Sequence, residues 1–122
     1  MTFEEFHAYL LSEPGAIEDR PFGPEVPVYK IGGKMFAYSS PDKSPPSLTI
    51  KLDPLLGQML RATYDAVQPG YHMNKEHWNT VILDGTVPDS EILSWIDESY
   101  SLVHSKLPKR VREQLAESLS AK

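Results

Sequence analysis

The sequence VYKIGGKMFAYS at residues 28–39, followed by SLTIKL at residues 47–52, decides the fold. Two strand-like runs flank Gly32-Gly33, and both glycines can adopt the positive φ angles that a tight hairpin turn requires. In the third run, the apolar residues at positions 48, 50 and 52 alternate with polar ones, which indicates one apolar and one polar face. The pattern therefore predicts antiparallel strands at 28–31, 34–39 and 47–52.

The two-residue turn also predicts which side chains share a face. It pairs Ile31 with Lys34 and Tyr29 with Phe36. One face, the expected core side, would carry Tyr29, Ile31, Phe36 and Tyr38. The other face would carry Val28, Lys30, Met35 and Ala37.

Three helices are predicted around these strands. Thr2 and Glu5 have the spacing of a capping box, which begins a helix over residues 2–12. Asp53-Pro54 combines an N-cap with proline at the first helical position, and this second helix is expected to extend to about residue 67. A third helix begins near Asp89 and has an apolar stripe that continues to residue 107.

The segment PGYHMNKEHWNTVILDGTVPD at residues 69–89 supplies the rest of the sheet. It predicts strands at 71–73 and 78–83, joined by the polar corner NKEH at residues 74–77. The fold class is therefore α+β, a two-layer sandwich with an antiparallel sheet, element order α-β(3)-α-β(2)-α and a short C-terminal helical tail. Residues 1–107 form the predicted domain. Residues 108–122 form an extension, expected to be helical over 109–119 and marginal unless it is ordered by packing.

Composition limits the possible functions. A chain of 122 residues without cysteine suits one domain with no disulfide and no Cys-based zinc site. There is no secretory signal pattern and no apolar run long enough to span a bilayer, so a cytoplasmic protein without membrane partners is expected. The net charge of −5 opposes nucleic-acid binding, but residues 20–51 hold five basic and only two acidic side chains. Residues 84–98 hold five acidic side chains and no basic one.

Catalytic and metal-binding patterns are weak. The sequence has no nucleophile motif and no phosphate-binding glycine loop, and its turn aspartates are explained by capping. His72 and His77 are five residues apart without a third ligand, so hydrogen-bonding histidines are favoured over a metal site. The expectation is a protein that is not an enzyme, with no cofactor and no metal.

Basic and aromatic residues are interleaved along the predicted strands. Basic groups can contact phosphates while aromatic rings stack on bases. Solvated lysines on an ordinary sheet, and a Trp78 that packs in the core, are the simpler alternatives. The basic members of this pattern are Lys30, Lys34, Lys51 and Lys75, and the aromatic members are Tyr29, Tyr38, Tyr71 and Trp78.

Four blocks of the sequence resemble one known family. EPGAIEDRPFG, VYKIGGKMFAY, YHMNKEHWNTVILDG and VPD…SY occur in the order and spacing of the MmcQ/YjbR family of small bacterial proteins. The resemblance reaches to about residue 107 and implies a fold akin to CyaY-like and type III secretion chaperone-like domains. It also implies DNA binding. The matching polar and aromatic positions are Lys30, Lys34, Asn74, Lys75, His77, Trp78 and Tyr100.

Three functions follow as hypotheses. The first is a DNA-binding module of the MmcQ/YjbR type that uses a basic and aromatic sheet surface. The second is a protein-interaction or chaperone-like domain that uses the open sheet face or an edge strand. The third is a small-molecule site around the polar corner. The residues assigned to DNA binding are Lys30, Lys34, Lys51, Asn74, Lys75, His77 and Trp78.

Overall fold

The computed structural model describes residues 1–70 and 73–120. In this part of the chain, six strands form a single sheet and four helices accompany it. The elements in chain order are α1 (Phe3–Ser12), β1 (Ile17–Asp19), β2 (Val28–Ile31), β3 (Lys34–Ser40), β4 (Ser47–Lys51), α2 (Pro54–Thr63), β5 (Val67–Pro69), β6 (Trp78–Ile82), α3 (Asp89–His104) and α4 (Lys109–Ser120).

The sheet has the strand order β1-β2-β3-β4-β6-β5, and every neighbouring pair is antiparallel. The α+β class with an antiparallel sheet is confirmed. The strand at residues 28–31 has the predicted bounds, and those beginning at 34, 47 and 78 differ from prediction by one residue at their ends. Within the described residues, no helix is long and apolar enough to cross a membrane.

The helices cover one face of the sheet. α3 lies across β2, β3 and β4, and α2 packs beside β5. Leu48 and Ile50 of β4 are at most 1% exposed on this covered face, as the alternation predicted. α1 adds Phe6 and Leu10 to the same core. Its His7 Nδ1 lies 2.7 Å from the hydroxyl of Tyr29, which ties the helix to the sheet.

A β-bulge changes the predicted register of the hairpin. Ile31 pairs with Lys34 as expected, but the register shifts between Tyr29 and Lys30, so Tyr29 pairs with Ala37 and not with Phe36. The extra residue lies in β3, and both Phe36 and Ala37 are fully buried. The face predictions for Tyr38 and Ala37 were therefore wrong, because one extra residue inverts the alternation beyond it.

Two further strands differ from the sequence prediction. β1 lies in a segment for which no strand or helix was predicted, and its exposed residues pair with β2 at the sheet edge. The second helix was predicted to reach about residue 67, but α2 ends at Thr63, and Val67 begins β5. The predicted strand at 71–73 falls partly on Tyr71 and His72, which lie outside the described residues, and Met73 lies in a bend.

The ends of the helices show why they begin and pack where they do. The predicted capping box is present, with the Glu5 amide donating to the Thr2 hydroxyl and the Thr2 amide donating to the Glu5 carboxylate. α4 packs over the hairpin turn. Gly32 has φ +58°, and a Cβ placed there would meet side-chain carbons of Leu107 and Val111 at 2.7 and 3.0 Å. The turn therefore requires glycine for its conformation and for this close approach.

Candidate functional site

The polar corner is a hydrogen-bonded turn built by Asn74. Its side-chain oxygen accepts a hydrogen bond from the Glu76 amide at 2.9 Å, and its carbonyl accepts one from the Trp78 amide at 2.9 Å. The His77 carbonyl in turn accepts from the Leu52 amide at 2.7 Å, which joins the corner to the end of β4. Asn74 therefore shapes the corner, and it holds Lys75 exposed at the tip.

Trp78 begins β6 and lies directly opposite Lys51 on β4. Its side chain is buried, with 8% of the residue exposed. A base-stacking platform needs an open ring face, and Trp78 has too little exposed ring surface to serve as one. The structure places this residue at the site but favours the packing alternative for its ring.

Lys34 and Lys51 are brought together at one end of the sheet. They line a cavity of about 290 Å³ whose other residues include Met35, Val103 and Lys106. Among the described residues, none of these three lysines has an ion-pair or side-chain hydrogen-bond partner. These three cations therefore share one concave surface, and no carboxylate of a described residue lines it.

Ser99 of α3 holds this end of the sheet in place. The β3–β4 ladder stops at the pair Ala37–Ile50, next to the bulge. Beyond it, the Ser99 hydroxyl accepts a hydrogen bond from the Lys51 amide at 2.9 Å and donates one to the Phe36 carbonyl at 2.6 Å. The serine thus replaces a missing rung of the ladder. Sequence reasoning missed this role, because it arises from the bulge.

Lys30 does not join the group. Its ammonium group forms an ion pair with the Asp19 carboxylate at 2.9 Å, across the β1–β2 pair. The hydrogen bond from Lys30 holds the pKa of Asp19 below its usual value. Because this lysine is already paired, it is a poor candidate for binding a further anion.

A second buried polar contact fixes α2 on the sheet. Arg61 donates to the side-chain oxygen of Asn79, which is fully buried on β6, and lies 3.4 Å from the Lys75 carbonyl. Gly57 allows the approach, since a Cβ there would meet the Asn79 amide nitrogen at 2.9 Å. Nothing in the sequence pattern marked Arg61 or Asn79, because their partners are distant in the chain.

A pair of carboxyl groups lies between α1 and α3. Burial, together with a hydrogen bond and repulsion from the neighbouring Asp97 carboxyl, raises the pKa of Glu13 to about 7. Oε2 of Glu13 is buried and receives no hydrogen bond from a described donor. Asp97 instead accepts from the Tyr9 hydroxyl at 2.8 Å, and this bond raises the pKa of Tyr9 to about 12. A protonated Glu13 can donate to Asp97, whereas the ionised form is repelled by it.

Metal ligands are not assembled in the described part of the chain. No group of three or more His, Asp or Glu side chains there could hold a metal ion. The His72–His77 pair considered from the sequence includes His72, which lies outside the described residues. His77 is half-buried beside β4.

A match to a family model identifies the family to which this fold belongs. The YjbR family model matches residues 11–102, which covers the sheet, α2 and most of α3. The chain belongs to the YjbR family. The helix α4 lies outside the matched residues of this family member.

Relatives match most of the length of this YjbR-family chain. It is 33% identical to the protein YjbR of Escherichia coli (strain K12) over 117 residues, which cover 96% of this chain and 99% of the relative. It is 38% identical to YbdF of Escherichia coli O157:H7 over 95 residues, with 78% of each chain covered.

Solved structures of similar proteins have the same fold. The chain matches the crystal structure of a Deinococcus radiodurans protein with a DUF419 domain at TM-score 0.89 and 36% identity, covering 94% of this chain and 88% of the other. It also matches the crystal structure of a Pseudomonas syringae protein at TM-score 0.73 and 29% identity, covering 84% and 98%.

Proposed function

We propose that this YjbR-family protein is a non-enzymatic nucleic-acid-binding module whose basic end contacts the phosphate backbone. The basic end consists of Lys34, Lys51, Lys75 and Lys106. The observation that carries the proposal is the cavity in which three of these lysines converge without carboxylate partners. Lysines that neutralise phosphates and release counterions supply most of non-specific affinity.

The antiparallel topology explains why these lysines meet. β3 begins at Lys34, β4 ends at Lys51, and the corner with Lys75 leads into the start of β6. In an antiparallel sheet, the end of one strand lies beside the start of its neighbour. Lys106 follows α3 and lines the same cavity, so cations from four separate segments lie at one end of the sheet.

Charge is segregated along the molecule. The opposite end carries the start of α3, with Asp89 and Glu91, and Asp84 after β6. At the basic end, Asp53 caps α2 and Glu76 is exposed in the corner, so two carboxylates remain nearby. The overall charge of −5 therefore limits affinity, while the separation of acidic and basic groups orients the basic end toward a polyanion.

The proposal differs from the sequence hypothesis in its contacts. Lys30 is held by Asp19, and Trp78 is buried, so neither is assigned a contact. Binding through lysines alone is expected to show little sequence preference, because phosphate contacts position a protein without reading bases. Lys106 was not among the sequence candidates and joins them here through the cavity it shares with Lys34 and Lys51.

The test is the salt dependence of binding to duplex and single-stranded DNA. Three or four phosphate contacts give a log–log slope of roughly −3, so affinity should fall about 50–100-fold between about 50 and 200 mM salt. Lys51→Ala or Lys106→Ala should weaken binding to all sequences alike and reduce the slope by about one unit.

Lys43→Ala is the matched control. Lys43 lies in the β3–β4 loop, at the opposite end of β4 from Lys51, and its loss removes the same charge. No detectable binding at the lower salt concentration, or equal effects of Lys43→Ala and Lys51→Ala, would contradict the proposal. Absence of binding would favour the protein-interaction function.

A further inference from the structure

The face of the sheet opposite the helices carries a groove lined by hydroxyl-bearing side chains together with apolar ones. Its volume is about 570 Å³, within the range of small-ligand sites. Thr49 and Thr80 lie opposite each other at its floor, and their hydroxyls are 2.8 Å apart. The remaining lining residues are Tyr38, Ser40, Lys43, Ser44, Pro45, Ser47, Gln68, Pro69 and Ile82.

Ser47 is the most informative residue of the groove. It is 6% exposed, yet no described residue forms a hydrogen bond with its hydroxyl. The hydroxyl oxygen itself is not fully enclosed, because the groove reaches it, so it can bond a ligand that enters the groove. The side chains of Ser40, Ser44 and Gln68 also line the groove without a described hydrogen-bond partner. The groove therefore presents several hydrogen-bonding groups that no described residue satisfies.

The charge of the groove restricts the ligand. Lys43 is the one charged residue among those that line it, and it has no ion-pair partner in the described structure. Hydroxyls and the Gln68 amide can each donate and accept, which suits a ligand with several hydroxyl groups. Pro45, Pro69 and Ile82 supply apolar walls for the carbon face of a ring.

We infer that this groove binds a small polyhydroxylated ligand with one anionic group, of the sugar phosphate type. The Ser47 hydroxyl and the Thr49–Thr80 pair would bond the sugar hydroxyls, and Lys43 would pair with the phosphate. The site is separate from the basic end. Lys43 lies in the loop after β3 and Lys51 ends β4, so the two lysines lie at opposite ends of this antiparallel pair. It does not depend on nucleic-acid binding.

The experiment is a titration of the whole protein followed by amide NMR resonances. The probes are glucose 6-phosphate, ribose 5-phosphate and glycerol 3-phosphate, with free glucose, free ribose and inorganic phosphate as separate arms. At least one phosphorylated probe should shift the amides of Ser40, Ser47, Thr49 and Thr80, and should bind more tightly than its sugar or phosphate alone.

Three variants make the result decisive. Ser47→Ala should weaken binding about three- to tenfold, because one hydrogen bond to the ligand is lost. Lys43 lies on an exposed loop, and Lys43→Ala should lower the affinity for the phosphorylated probe about tenfold. The variant should also lose the preference for the phosphorylated probe over the free sugar. Lys106→Ala, at the basic end, should leave this binding unchanged.

Several results would overturn the inference. One is the absence of shifts with all three probes at about 10 mM, a concentration that would reveal even very weak ligands. Another is equal binding of inorganic phosphate, which would indicate anion binding only. Binding that neither Ser47→Ala nor Lys43→Ala weakens would place the ligand elsewhere.

Discussion

The two ends of the β3–β4 pair differ in how their polar groups are satisfied. At the bulged end, the hydroxyl of Ser99 is fully buried and bonds to both strands, so the Lys51 amide and the Phe36 carbonyl are paired. At the other end, Ser47 is 6% exposed as a residue, and its hydroxyl opens onto the groove without a described partner. The two serines thus differ: the hydroxyl of Ser99 closes the structure, whereas that of Ser47 faces the groove.

Trp78→Ala gives the largest expected effect and tests whether the bulged end is packed or open. Since the residue is 8% exposed, the loss of its side chain should lower the free energy of unfolding by about 3–5 kcal/mol. Urea melts measure the change. The covered-face variant Ile50→Ala is the control for an ordinary core cavity. If Trp78→Ala costs under about 0.5 kcal/mol, as surface substitutions do, the ring is a surface platform and not part of the packing.

Ser99→Ala and Ser47→Ala compare the two serines directly. Ser99→Ala leaves a buried amide and a buried carbonyl without partners and should cost about 2–4 kcal/mol. Ser47→Ala removes a hydroxyl that has no partner and should change stability by less than about 0.5 kcal/mol. Both are measured by denaturant unfolding in the absence of ligand. Equal costs for the two substitutions would show that the contrast between the ends is wrong.

Glu13 differs from the two serines because its unpaired buried oxygen belongs to a group that can ionise. Its pKa rises from 4.5 to about 7 in the folded protein, so the folded state binds more protons than the unfolded state between these values. The direction of this shift is the reverse of the usual one, because most carboxyl groups have a lower pKa in the folded state than in the unfolded state. The stability that depends on protonated Glu13 is therefore fully present below about pH 4.5, falls as pH rises, and is lost above about pH 7.

Glu13→Gln should remove this pH dependence. A glutamine cannot ionise beside Asp97, so the variant should exceed the original protein in stability at pH 8 by about 1–2 kcal/mol, a value reduced for partial exposure. The measurement is the difference between the two proteins in urea unfolding at pH 5 and at pH 8. A constant difference across this range would mean that Glu13 titrates normally.

Much of the fold could be predicted because its determinants are local. Gly32-Gly33 specifies a two-residue hairpin, Thr2 and Glu5 specify the start of α1, and the alternation in β4 assigns Leu48 and Ile50 to the covered face. Each depends on residues a few positions apart, so backbone preference and side-chain period determine it. The antiparallel sheet with helices on one face follows from these elements.

The remaining features depend on contacts between distant residues. The bulge that moves Tyr38 to the open face and Ala37 to the core is stabilised by Ser99, 63 residues from Phe36. β1 and β5 are short edge strands of exposed or mixed residues, and they exist through pairing with β2 and β6.

The candidate sites divide in the same way. The sequence by itself determined that Lys34, Lys51 and Lys75 lie at strand ends and in a turn. Only the tertiary structure brought Lys106 to them, paired Lys30 with Asp19 and buried Trp78. It also placed the hydroxyls of Ser47, Thr49 and Thr80 around one groove. The physical reason is that residue pattern fixes which face a side chain occupies, whereas packing decides which distant groups share that face and whether their polar atoms find partners.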